Sequence, residues 1–121
     1  MAYVEGFLIP VPTAKKDAYL AQSRAMAPIM ADVGATRMVE CWGDDVSHGE
    51  VTDFYRAVAA KEGESVVLSW IEYPDKATRD AANQKMVADP RFAEMGEMPF
   101  DGKRMIFSGF VPIFDSKGEL A

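Results

Sequence analysis

The residue pattern predicts an α+β fold, an antiparallel sheet with its helices on one face. Three observations carry that expectation. Four runs rich in β-branched and aromatic residues, near 3–11, 36–42, 66–73 and 103–111, have the length and composition of strands. Two longer alanine-rich, charged stretches, near 13–33 and 75–88, read as helices bounded by cap and stop residues. The helices separate the first strand from the second and the third from the fourth, while no long helix stands between the second and third.

Tyr3 to Val11 is apolar on both alternating residue sets, so both faces of the first strand read as buried. Pro12 and Thr13 end it, with Thr13 placed as an N-cap for a helix that runs to about Val33 and stops at Gly34. Ala14, Ala18, Ala21, Ala25 and Ile29 form a small-residue stripe for close approach to the sheet, flanked by Tyr19, Met26, Met30 and Val33. Pro28 is expected to kink the last turns.

Thr36 to Trp42 is the second strand, followed by an acidic loop from Gly43 to Gly49. Val51 to Ala60 fits either a helical stripe or a strand; its β-branched and aromatic content, and a hairpin-like segment after it, favour a strand. Val66 to Tyr73 is the next strand, and Pro74 with Asp75 as N-cap opens a helix to about Ala88. Asp89-Pro90 opens a short helical turn through Met95, and Lys103 to Val111 is the last strand. Residues 1–121 read as one domain, with 115–121 a flexible tail.

This order is the ferredoxin-like βαββαβ plan. One helix layer covers one sheet face, yet the strands are apolar on both, so the second face needs a cover that the chain lacks. A second copy supplies it economically, giving a dimeric α+β barrel. The alternative is a sheet that closes over a ligand alone.

Nearly half of the 121 residues are apolar (49%), and 13 basic against 19 acidic residues give a net charge of -6. That balance argues against nucleic acid and anionic membrane surfaces as partners. The start of the sequence lacks the basic and apolar segments of a secretory signal, and no apolar run is long enough to span a bilayer. With a lone cysteine, Cys41, the expectation is a cytoplasmic protein.

Several segments carry a resemblance: Glu40-Cys41-Trp42, Thr52-Asp53-Phe54, Ser69 to Pro74 (SWIEYP), Arg79 to Met86 (RDAANQKM), Asp89-Pro90-Arg91 and Met98 to Ile106 (MPFDGKRMI). In this order and spacing the chain resembles the YbaA-like family of uncharacterised bacterial proteins from about Tyr3 to Phe114. The resemblance implies the dimeric α+β barrel superfamily and no particular activity. More distantly, Glu72-Tyr73, a helix and then Pro90-Arg91-Phe92 resembles the antibiotic-biosynthesis monooxygenase branch of those barrels. Relatives there often carry a histidine near mid-helix, where Asn83 stands here.

The candidate chemistry lies in the strands. Glu5, Glu40 and Glu72 each stand two residues from a large aromatic, Phe7, Trp42 and Trp70, and residues two apart share a face. Enclosed carboxylates could act as general acid or base; pairing with Arg37, Arg104 or a lysine is the structural alternative. Trp42 and Trp70, with Phe7 and Tyr73, could line a ligand site or sit in core or interface. Asn83 or Arg104 could stabilise an oxyanion. Asp44, Asp45 and His48 offer too few nitrogen ligands for a metal site, so none is expected. His48 is the only histidine, which argues against haem and against a histidine-based nucleophile; no cofactor is expected.

The reading is a homodimer, joined through the sheet face, that binds a small aromatic or amphipathic metabolite between sheet and helices. Whether it is an enzyme stays open. One alternative is a cofactor-independent monooxygenase- or isomerase-like enzyme using Glu72, Glu40, Asn83 and Arg104. The other is a structural dimerisation module.

Overall fold

The computed structural model describes residues 2–118. Strands β1 (Tyr3–Pro12), β2 (Arg37–Trp42), β3 (Glu64–Tyr73) and β4 (Ile106–Phe110) form one sheet in the order β2-β3-β1-β4. All three pairings are antiparallel. With helices α1 (Lys16–Asp32) and α3 (Lys76–Ala88) linking β1 to β2 and β3 to β4, this is the ferredoxin-like arrangement.

The register sorts every strand residue onto one of two faces, because alternate side chains point oppositely. One row on the helix-covered face reads Glu40, Ser69, Phe7, Phe107 across β2, β3, β1 and β4, and the next reads Met38, Ile71, Glu5, Gly109. The outer face carries Cys41, Leu68, Leu8, Ile106 in one row, then Val39, Trp70, Gly6, Ser108, then Arg37, Glu72, Val4, Phe110. The core sits on the helix side, in one cluster around Tyr3, Met30, Ile71, Tyr73 and Ala82 and another around Ile9, Val11, Tyr19 and Val67. On the outer face Leu68, Ile106 and Phe110 remain exposed.

Asp75 caps α3 as its position predicts, its carboxylate accepting from the Thr78 amide at 2.7 Å. Asp89 does the same for α4 (Pro90–Glu94), accepting from the Arg91 amide.

Three local expectations are corrected. The segment 51–60 is no strand: Phe54–Ala57 forms a single helical turn, α2, because Asp53 caps it by accepting from the Arg56 amide at 2.8 Å. Thr13 does not cap α1; its hydroxyl lies 2.7 Å from Ser65 Oγ, and a 3-10 turn over Thr13–Lys15 leads into the helix instead. The alanine stripe of α1 faces outward, with Ala14, Ala18, Ala21 and Ala25 exposed while Tyr19, Ile29 and Met30 are buried. Burying long apolar side chains removes more surface from water than close packing of alanines. Of the predicted tail, 119–121 lies outside the described residues, and Asp115 holds a turn by accepting from the Lys117 amide.

Candidate functional site

Because α1 rests on the sheet through long side chains, a cavity of about 420 Å³ opens between it, α3 and the helix-covered sheet face. Six of the chain's eight methionines line it: Met26, Met30, Met38, Met86, Met98 and Met105. Phe7, Phe92, Phe100 and Phe107 add aromatic surface, and Phe7 and Phe107 stack with their centroids 5.8 Å apart. Methionine is unbranched and polarisable, so such a lining adapts to the shape of an apolar guest and favours contact with aromatic rings. The size falls in the range of small-molecule sites.

Two carboxylates face this space from adjacent rows of the sheet, Glu40 on β2 and Glu5 on β1, with β3 between them. Two strand spacings across the sheet and one row along it put their backbones about 12 Å apart. Their partners differ. Glu5, with a side chain only 3% exposed, accepts from Arg79 Nη1 at 2.8 Å and Asn83 Nδ2 at 3.3 Å, both donors standing one turn apart on α3. Arg79 Nη2 also donates to the Tyr3 hydroxyl at 3.1 Å, and its guanidinium packs over that ring. Burial opposes the Arg79 charge, but the bonds to Glu5 and Asp80 outweigh it and raise its pKa.

Glu40 instead accepts from a neutral group, the Tyr19 hydroxyl, at 2.6 Å. Burial of Tyr19, reinforced by that hydrogen bond, pushes its phenol well above the ordinary range, so it stays a donor. On the same face of α1, the Gln22 amide nitrogen donates to Met98 Sδ, and its Oε1 is buried without a partner among the described residues. Among the described residues the site is thus an apolar cavity with one compensated carboxylate, one held by a phenol alone, and a spare acceptor.

Residues 2–102 match the family described as Protein of unknown function (DUF1428). The chain belongs to that family. It is 60% identical over 116 residues to the Uncharacterized protein YbaA of Escherichia coli (strain K12), covering 95% of this chain and 99% of that protein. The same figures hold for the Uncharacterized protein YbaA of Shigella flexneri. Among solved structures it is similar to an uncharacterized NIPSNAP domain protein from Burkholderia xenovorans, with a TM-score of 0.61, 19% identity, and coverage of 91% of this chain and 93% of that one. A dimeric ferredoxin-like protein from an uncultured marine organism gives a TM-score of 0.56 at 12% identity, covering 95% of this chain and 99% of that one. At such identities the two structures establish the fold alone.

In this DUF1428 protein the cavity brings together Glu40, Asn83 and Phe7 of the sequence candidates, along with Glu5. Others lie elsewhere. Glu72 and Trp70 occupy the outer face, where Trp70 Nε1 donates to Glu72 Oε2 at 2.9 Å and Arg37 stands 3.7 Å from the same oxygen. Tyr73 is fully buried in the core, its hydroxyl without a partner among the described residues; burial, then the Glu5 charge, raises its pKa. Trp42 flanks the second core cluster against Tyr19, with Lys16 Nζ 5.6 Å from its ring centroid. Arg104 forks onto Glu64 through two 2.7 Å bonds and also donates to Asp101 and the Ala59 carbonyl. His48 stacks on Tyr55 in the 43–60 connection, outside the cavity lining. Sequence reasoning missed Arg79, Gln22 and the methionine lining. A signal for Arg79 was present: Glu5 in mid-strand requires a cation, and Arg79 and Asn83 share a helix face at i, i+4.

Proposed function

We propose that this DUF1428 chain is a cytoplasmic small-molecule-binding protein that holds an apolar or amphipathic metabolite between sheet and helices. The observation that carries the reading is the methionine-lined cavity of about 420 Å³ with carboxylates in its floor. An open cavity of this size leaves apolar side chains facing water, and an apolar guest would cover them. We further propose that a second copy covers the outer sheet face. Leu68 and Ile106 in one row, with Phe110 beyond, expose 46%, 46% and 60% of their surfaces, a band that water disfavours. A protein of the same fold is described as dimeric, which supports this cover. Trp70 and Glu72 then belong to the interface. Exposed Cys41 suits a reducing compartment.

A cofactor-independent enzyme is the second reading, favoured by Glu40 and Asn83 facing one apolar chamber, where a carboxylate can take a proton and an amide can donate to an oxyanion. Native mass spectrometry tests the first reading. The expected result is a dimer carrying dissociable mass, or one that takes up the neutral dye Nile red, with uptake lost in Met86→Trp because the indole fills the cavity. A monomer that Leu68→Glu leaves unchanged refutes the dimer, and a protein that neither retains mass nor takes up dye refutes the binding site.

A further inference from the structure

We propose that the cavity selects a guest with a primary ammonium group on an apolar body, seated on Glu40; this rests on the binding reading above and names its ligand class. The lining contains two carboxylates and, among the described residues, no Lys, Arg or His. Only one of the two is balanced. Glu5 is paired with Arg79 at 2.8 Å, whereas Glu40 forms no ion pair among the described residues and rests on the Tyr19 hydroxyl at 2.6 Å. Lys16 is not part of the lining; its Nζ stands 5.6 Å from the centroid of the Trp42 ring.

A carboxylate beside methionine and phenylalanine side chains loses much of its hydration, so it gains more from a cation than it would in water. A neutral phenol supplies one hydrogen bond and no charge. The second observation is Gln22. Thioether sulfur can only accept, so the amide turns its NH₂ towards Met98 and leaves Oε1 buried with nothing to accept from among the described residues. An ammonium group has three donors, enough for Glu40 and a neighbouring acceptor such as Gln22 Oε1 or Ser69 Oγ, which faces the cavity in the same row as Glu40. A carboxylate guest would meet like charge and no cation to receive it. The flexible methionine lining then accommodates the apolar body without specifying its outline.

The test is displacement of Nile red at neutral pH by three probes with the same chain, octylamine, octanol and octanoate. Octylamine is expected to displace the dye at a concentration at least about tenfold below that of octanoate, with octanol between, as for a charge-assisted hydrogen bond in place of like-charge repulsion. Glu40→Gln keeps an acceptor for Tyr19 and removes the charge, so the amine-to-carboxylate ratio should fall towards one. The ratio is the readout, so a general change in dye affinity cancels. Gln22→Leu should weaken octylamine more than octanol. Equal displacement by all three probes, preference for octanoate, or a ratio unchanged in Glu40→Gln overturns the proposal while leaving the binding reading intact. An unaltered protein that neither retains dissociable mass nor takes up dye overturns both.

Discussion

Replacing Arg79 with methionine tests whether Glu5 is a compensated buried charge. The aliphatic stem is kept, while the guanidinium is lost together with its packing over the Tyr3 ring. Glu5 and Arg79 expose 3% and 15% of their side chains, which puts the pair in the regime where breaking it strands a charge rather than freeing one to water. Losing one partner there costs about 3–5 kcal/mol, against a total stability for such domains of about 5–15 kcal/mol. With a urea slope of about 2 kcal/mol/M, the unfolding midpoint should fall by on the order of 2 M. The reverse substitution should be milder. Glu5→Gln leaves an acceptor for Arg79, which also keeps Asp80 Oδ1 at 2.9 Å, so about 1–2 kcal/mol is expected. The double variant Arg79→Met with Glu5→Gln should recover stability relative to Arg79→Met alone, because the stranded charge is gone. Urea titrations of all four proteins close the cycle. A loss below about 1 kcal/mol for Arg79→Met, as for a solvated surface pair, or a double variant weaker than Arg79→Met, would refute the reasoning.

Two further outcomes follow from local geometry. The Arg104 fork, ahead of burial which opposes it, holds the Glu64 carboxyl at about 2 rather than the ordinary 4.5. A carboxyl depressed in the folded state stabilises above its unfolded value and loses that contribution as pH falls from 4.5 towards 2, here on the order of 1–2 kcal/mol once solvent screening of the pair is counted. Urea midpoints measured across that window should drop steeply in the unaltered protein, and a Glu64→Gln variant that drops just as steeply would rule the pair out as the cause. At Gly109 an added Cβ would fall on the Tyr3 ring, 2.7 Å from Cζ, disturbing the residue that holds Arg79. Gly109→Ala should therefore cost about 1–3 kcal/mol. Gly102→Ala, with nothing within 4 Å, should stay within about 0.5 kcal/mol and is the matched control in the same thermal melt.

The fold was legible because its signals are local. Asp75 and Asp89 announce their helices, and the two-sided apolar strands announce a sheet needing cover on both faces. The site was only partly legible because it depends on parity between strands, which no single strand reveals. Glu5, Glu40 and Glu72 look alike, each two residues from an aromatic, yet the register sends Glu5 and Glu40 to the cavity and Glu72 to the outer face. A one-residue difference in pairing would have reversed those assignments. Arg104 could be read as an oxyanion donor only while Glu64 was unplaced; 40 residues apart in sequence, the two meet because the turn before β4 folds against the start of β3. At 51–60 the β-branched content pulled towards a strand, but a capping aspartate decided for a helical turn.

The cavity itself follows from which face of α1 turns inward. Had the alanine stripe met the sheet, the helix could have lain close and left little room. With Tyr19, Met26, Met30 and Val33 inward, long side chains hold the helix away, and the space left between them lies over the row Glu40, Ser69, Phe7, Phe107. Tyr19 does two things at once: its ring packs on Phe100 and Trp42, while its hydroxyl fixes Glu40. The opposite end is fixed by Arg79 and Asn83, which reach Glu5 from α3. Each helix thus holds one carboxylate in place, and flexible methionine side chains line the space between. Fixed polar ends and a compliant middle are the features on which the proposed binding role rests, since such ends would orient a guest and such a middle would adapt to its bulk.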